Sequence, residues 1–176
     1  MRLEYFNGDS YEGFFKEGLK KGNGRYEEAD GNIYNGAFEN DDKQGLGTLK
    51  YYNGDNYVGD WTDGEKSGKG TYISKAGWKY QGEWMNDLCH GGGVLDMGNK
   101  NCYNGEFFQG MMTGVGEYRM ANGDVYEGKL VNNLREGKGR YIWASGESYV
   151  GEFNGNSMVK GIFKDLEGVE QVIDLT

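Results

Sequence analysis

Along this chain, apolar side chains and glycines alternate with polar residues in short runs, and the runs return at a fixed interval. Tyr11, Tyr34, Tyr57, Tyr80, Tyr103, Tyr126 and Tyr149 follow one another by 23 residues (34 − 11 = 23; 149 − 126 = 23) with no slippage. A constant period of this length marks a repeat architecture. With the tyrosine as position 0, glycine recurs at +2, +11, +13 and usually +20. An aromatic residue stands at +4 from Phe15 to Phe107, and Tyr or Leu at +15. Tyr57-Val58-Gly59-Asp60-Trp61, with Gly64, Gly68, Gly70, Tyr72 and Gly77 after it, is the best-kept copy.

Positions 0, +2 and +4 alternate with polar residues such as Glu12, Asp60 and Glu83. Positions +11, +13 and +15 do the same, interleaved with Arg25, Thr48 and Lys69. Both runs have the period of a strand. Between them lies a loop with Gly, Asn or Asp at +7; Asp41, Asp87 and Asn133 replace glycine there and tolerate positive φ. Each repeat therefore predicts a hairpin. Successive repeats join through Ala29-Asp30-Gly31, Tyr52-Asn53-Gly54, Lys75-Ala76-Gly77, Ala121-Asn122-Gly123 and Ala144-Ser145-Gly146. A three-residue loop closing on a left-handed glycine is a common hairpin connection. In the fourth repeat Lys100 takes the place of that glycine, so Gly98 and Asn99 are expected to make the turn. The predicted fold is all-β: an elongated, single-layer antiparallel β-meander, a solenoid of consecutive β-hairpins.

Placing the patterned residues of both strands on one face fixes an expected register, with 0 opposite +15, +2 opposite +13, and +4 opposite +11. That face carries a row of Tyr and Leu, a row of glycines (Gly13, Gly36, Gly59, Gly82, Gly105 and Gly128 at +2), and a row alternating aromatic with glycine. Strand glycines often mark close approach by another group. The rings at 0 and +4 are therefore expected to lie flat over the glycine row, a cover that stabilises such strands. At two strands per repeat and ~4.8 Å per strand, the array would form a rod of roughly 65 Å.

The organisation along the chain is a partial repeat over 1–10, six full repeats over 11–148, and a degenerate seventh with a closing strand over 149–176. Leu3 to Tyr11 matches Leu49 to Tyr57, which puts Met1 on the +13 site and starts the array part-way through a unit. In the seventh unit Gly161, Phe163 and Gly168 recover the spacing if one residue is missing from the loop before them.

Composition narrows the function classes. There is no proline, and the 33 glycines do not recur every third residue, which excludes collagen. An aromatic content of 15% is too high for a disordered chain. No stretch approaches the ~20 apolar residues of a spanning helix, and Met1-Arg2-Leu3-Glu4 is no secretory leader. Cys89 and Cys102 fall at different repeat positions, which speaks against a disulfide framework and for a reducing compartment. A net charge of −9 argues against nucleic acid and disfavours anionic membrane lipid.

Chemistry needs a cluster that breaks the symmetry, and none is convincing. Leu88-Cys89-His90 joins a thiol to the sole histidine, but adjacent strand residues point apart and no further ligand has suitable spacing. Gly91-Gly92-Gly93 lacks the lysine and following helix of a phosphate loop. We expect no catalytic residue, no metal and no cofactor.

The recurring Tyr-x-Gly-x-Trp/Phe followed by Gly-x-Gly resembles the MORN repeat (membrane occupation and recognition nexus), from Tyr11 to Gly146. The resemblance implies a twisted β-meander with a grooved face. It also implies cytoplasmic scaffolding at cytoskeletal, ciliary or membrane-apposed structures. Some relatives append a catalytic domain, and nothing here is long or varied enough to be one.

A partner surface is the sharper expectation. Beyond the repeat rows, apolar residues gather at +17 (Tyr51, Met97, Met120, Trp143), with Trp78 nearby. A second set stands at +5 (Met85, Phe108, Val131), where early repeats carry Lys16, Glu39 and Thr62. Exposed apolar stripes of this kind mark interfaces. With the +4 rings, the candidate partner-binding set is Tyr51, Trp61, Trp78, Trp84, Met97, Phe107, Met120 and Trp143. The expected occupant is a protein, as a helix or extended peptide along the groove, with a homo-oligomer left open. The alternatives are a phosphoinositide or membrane-surface module and an accessory subunit of an enzyme complex.

Overall fold

The computed structural model describes residues 2–175, so the proposed +13 role of Met1 lies outside the described residues. Among those residues there are sixteen strands and no helix, and the chain divides into two units at Leu88. The first unit holds β1 (Arg2–Glu4), β2 (Ser10–Lys16), β3 (Leu19–Glu27), β4 (Ile33–Glu39), β5 (Asp42–Lys50), β6 (Asn56–Thr62), β7 (Glu65–Ile73) and β8 (Lys79–Met85). The second holds β9 (Leu88–Asp96), but for its first residue, and then β10 (Cys102–Phe108), β11 (Met111–Arg119), β12 (Val125–Val131), β13 (Leu134–Ile142), β14 (Ser148–Asn154), β15 (Ser157–Lys164) and β16 (Glu170–Asp174). Within each unit every strand pairs antiparallel with its sequence neighbours, giving an open meander.

Two kinds of turn build it. The turn at +6 and +7 has both residues at positive φ, as at Asn40 and Asp41 (49° and 75°) or Asn132 and Asn133 (49° and 68°). That is the primed turn whose twist matches paired strands, which explains Asn, Asp and Gly there. The linking loops have three residues and end in left-handed glycine, such as Gly31 at φ 95°, as the sequence suggests. At the fourth link, however, Lys100 itself takes φ 71° while Gly98 takes 73°. The glycine site is conserved in geometry although its occupant has a side chain.

The expected register holds for two of its three pairs within a hairpin. Tyr57 faces Tyr72 and Gly59 faces Gly70, but Trp61 faces Lys66 at +9 and not Gly68 at +11. The +11 and +12 residues are bulged out of the long strand, with Gly68 at φ 54° and Gly22 at φ 68°. The +11 glycine is thus a bulge residue. Between repeats the predicted pairing stands: Gly45 faces Trp61. In the last hairpin Glu152 faces Lys160 and Phe153 faces Met158, so only Val159 is bulged. The residue missing from the seventh unit is therefore missing from its bulge, and the turn before it keeps its length.

The core is a single layer of rings. All seven position-0 tyrosines are at most 1% exposed. Each lies over its glycines: a Cβ placed on Gly59 or Gly70 would come within 2.5 Å of the Tyr57 hydroxyl oxygen. The +4 rings do not lie flat beside them. They stand edge-on, with Trp61 at 5.2 Å and 89° to Tyr57 and at 5.2 Å and 83° to Tyr34. Tyr11, Tyr34 and Tyr57 are each gripped between their own +4 ring and the next, an arrangement that aromatic quadrupoles favour. The tyrosine hydroxyl is also used. Tyr34, Tyr57, Tyr80 and Tyr126 donate to the carbonyls of Ala37, Asp60, Glu83 and Lys129 at 2.8–3.0 Å. Tyr11, Tyr103 and Tyr149 make the same +3 bond. The bulge breaks the ladder next to this carbonyl, and the hydroxyl supplies a donor, which is why Tyr and not Phe stands at position 0.

Candidate functional site

The grooved face is built from four positions of the repeat. Tyrosines at 0 form its floor with the +4 residues, +15 and +17 side chains form one wall, and the +9 side chain enters from the other side. The +9 position has no glycine or aromatic signature in the sequence, so its role is revealed only by the bulge that sets it opposite +4.

In the first unit the +9 residue is always lysine, held over rings. Lys66 Nζ lies 5.0 Å from the Trp84 ring and 5.5 Å from that of Tyr72. Lys20 and Lys43 occupy the same place over Tyr26 and Trp61 at 4.6 and 5.2 Å. Each ammonium has a carboxylate close by: Asp41 at 3.9 Å from Lys20, Glu28 at 3.6 Å from Lys43, and Asp87 at 3.6 Å from Lys66. Asp41 and Asp87 also accept the backbone N–H of Lys20 and Lys66 at 2.8 and 3.0 Å, tying one turn to the next.

The second unit departs from this at +4, +7 and +9. Leu130 replaces the +4 ring, Met112 and Arg135 replace lysine at +9, and Asn133 and Asn156 replace aspartate at +7. Both asparagines keep the structural bond, accepting the N–H of Met112 and Arg135 at 2.8 and 2.9 Å. Above Tyr126 and Leu130 opens a groove of about 330 Å³, walled by Met112, Met120, Tyr118 and Tyr141, with Arg135, Asn133 and Asn156 on its polar side. Met97 and Met120 accept the hydroxyls of Tyr118 and Tyr141 at 3.3 and 3.5 Å. Burial pushes the Tyr126 phenol up to about 12. The Tyr141 hydroxyl and the Ala144 N–H hold the Asp124 carboxyl below the usual carboxylate range.

The candidate partner residues separate into two groups. Trp61, Trp84 and Phe107 are core residues, 3–7% exposed, because each is clamped edge-on against position-0 tyrosines. They do not present a surface. Tyr51, Trp78, Met97, Met120 and Trp143 are half-buried along the wall. Tyr51 leans on Tyr72 (5.8 Å), Trp78 stacks on Tyr72 (4.9 Å, 13°), and Trp143 packs on Tyr141 (4.9 Å). The +5 residues Met85, Phe108 and Val131 are exposed, 46%, 52% and 37%. Among the described residues no group of three His, Cys, Asp or Glu is placed to hold a metal ion, and no helix is long and apolar enough to cross a membrane.

The family model for the MORN repeat matches six consecutive segments: residues 11–33, 34–56, 57–79, 80–102, 103–125 and 126–148. The chain belongs to the MORN-repeat family. Six matched MORN repeats are one fewer than the seven in-phase tyrosines, the seventh unit being the one with a shortened bulge. No curated protein sequence matched. Among solved structures, the TCP10 domain of Danio rerio CPAP is similar at 8% identity, covering 99% of this chain and 83% of that one, with a TM-score of 0.57. The TCP domain of Drosophila melanogaster SAS-4 (dCPAP), in complex with a proline-rich motif of Ana2 (dSTIL), is similar at 15% identity, covering 86% and 83%, with a TM-score of 0.53. These likenesses show a shared open β-meander.

Proposed function

We propose that this MORN array is a non-catalytic scaffold that binds a protein partner along its aromatic face, through the groove over its fifth and sixth repeats. The carrying observation is that groove: Met112, Met120 and Leu130 give it an adaptable apolar lining where the first unit is filled by lysine over rings. Methionine suits irregular partners, and flanking tyrosines supply anchoring contact area. Repeats advance two strands at a time, ~9.6 Å, close to the ~9.3 Å of three residues in a polyproline II helix. An extended peptide crossing the strands would thus meet equivalent positions at every third residue. The proline-rich motif bound by the similar SAS-4 domain supports an extended occupant. The setting we assign is a cytoskeletal or ciliary structure in the cytoplasm, as family membership suggests.

Met120→Glu tests this. Glu28 occupies the same repeat position, so the fold accommodates glutamate there. The variant should keep its melting temperature and lose about tenfold or more in affinity, ~1.4 kcal/mol, for a protein captured by the wild type from native cytoplasm. Equal capture by both proteins refutes the groove as the binding site. Binding to phosphoinositide vesicles with no protein captured would favour a membrane-surface module instead.

A further inference from the structure

The cations of the two units differ in a way the repeat pattern does not require. Lys20, Lys43 and Lys66 each have a carboxylate within 4 Å, supplied from +7 of the next repeat or from +17 of the previous one. Arg135 stands in the same place, its Cζ lying 5.2 Å from the Tyr141 ring, 5.7 Å from Phe153 and 5.8 Å from Tyr126. Both of its equivalent partners are neutral: Asn156 at +7 and Met120 at +17. Among the described residues it forms no ion pair. The nearby acids are engaged elsewhere, Glu136 accepting the Gly155 N–H at 2.8 Å and Asp124 accepting from Tyr141 and Ala144. The Asn156 side-chain oxygen is occupied by the backbone N–H of Arg135, which leaves its amide N–H groups as donors in the groove that Arg135 also lines.

Resting on the groove reading above, we infer that Arg135 with Asn156 forms a carboxylate-recognition site, and that the partner segment presents an Asp or Glu side chain next to a bulky apolar residue. The guanidinium reaches the Tyr141 hydroxyl, and its remaining N–H donors can take a carboxylate in the bidentate geometry that lysine could not offer. The apolar neighbour enters beside Leu130, Met112 and Met120. The first unit cannot do this, because its own acids already occupy the equivalent positions.

The test uses the full chain and a random linear peptide library displayed on phage, followed by anisotropy with the best synthetic peptide. The wild type should enrich peptides pairing an acidic with an apolar residue. Changing that acid to its amide should weaken binding by about tenfold or more to the wild type, and by less than about twofold to Arg135→Gln. Asn156→Asp is the second variant. Asp41 and Asp87 show that aspartate fits this turn and keeps the backbone bond. It should fold normally and lose the acidic preference by neutralising Arg135 internally. Apolar enrichment without an acidic preference overturns the inference and spares the groove. No enrichment at all overturns both. A phosphoserine version that binds more than tenfold tighter than the aspartate peptide overturns the carboxylate assignment in favour of a phosphopeptide.

Discussion

The two units share one backbone recipe and spend their aromatic face differently. In the first, the rings of Phe15, Tyr11, Phe38, Tyr34, Trp61, Tyr57, Trp84 and Tyr80 touch in unbroken succession at 5.0–5.2 Å, roofed by three acid-neighboured lysines. In the second, Tyr103 meets Phe107 and Tyr126 meets Phe153, but Leu130 interrupts the succession and sulfur lines the wall. The difference separates what the fold needs from what it can vary. Tyrosine over glycine, its hydroxyl bond and the bulge are kept in both units. The ring at +4 and the cation at +9 are not, and the groove lies where both are relaxed.

The largest expected effect concerns what the units share. Gly59→Val or Gly70→Val in the first unit, and Gly128→Val in the second, should each cost more than ~3 kcal/mol. The new Cβ would meet a tyrosine hydroxyl that has a carbonyl to keep. Thr71→Val, on the other face, should shift the melt little. Equal melts for Gly59→Val and Thr71→Val would refute the packing.

Next comes the hydroxyl. Tyr57→Phe and Tyr126→Phe strand the carbonyls of Asp60 and Lys129, and each should cost ~1–3 kcal/mol in denaturant unfolding. A loss confined to one unit would mean that the bulges are held differently. Lys100→Gly should act in the opposite sense, raising stability by ~1 kcal/mol by relieving a left-handed lysine. An unchanged melt would show that the fourth link carries no strain.

The response to pH should be common to both units. Burial pushes the Tyr34 and Tyr126 phenols up to about 12. The folded state therefore binds a proton that the unfolded state loses near ~10. Stability is full below pH ~10 and falls as pH rises towards the folded value. Asp9, Asp55 and Asp124 are held below the usual range, first by the hydroxyls of Tyr26, Tyr72 and Tyr141. Their contribution is present above pH ~4 and is lost as pH falls through their lowered values. Thermal melts should thus be flat from about pH 5 to 9 and fall on both sides. A melt still flat at pH 11 would contradict the burial of the phenols.

Much of this protein was legible from its residues. The interval of 23 located every hairpin, and alternation put Tyr11, Gly13 and Phe15 on one face. The glycines at +2 and +13 announced the rings above them because only a missing Cβ permits that approach. The bulge was invisible for a definite reason. It skips two residues, and alternation has period two, so Trp61 keeps its face whether it opposes Gly68 or Lys66. Which +9 side chain completes the groove therefore depended on a shift the pattern cannot register. Trp61, Trp84 and Phe107 likewise read as surface anchors until their edge-on packing placed them in the core. The environment of Arg135 is the clearest case. Its charge is written at one position, but its want of a carboxylate depends on Asn156, 21 residues on, which only the folded turns bring to its side. Local spacing determined the strands and rows, whereas charges left unpaired across neighbouring repeats were decided by the tertiary structure, because ion pairing is set by distance in space.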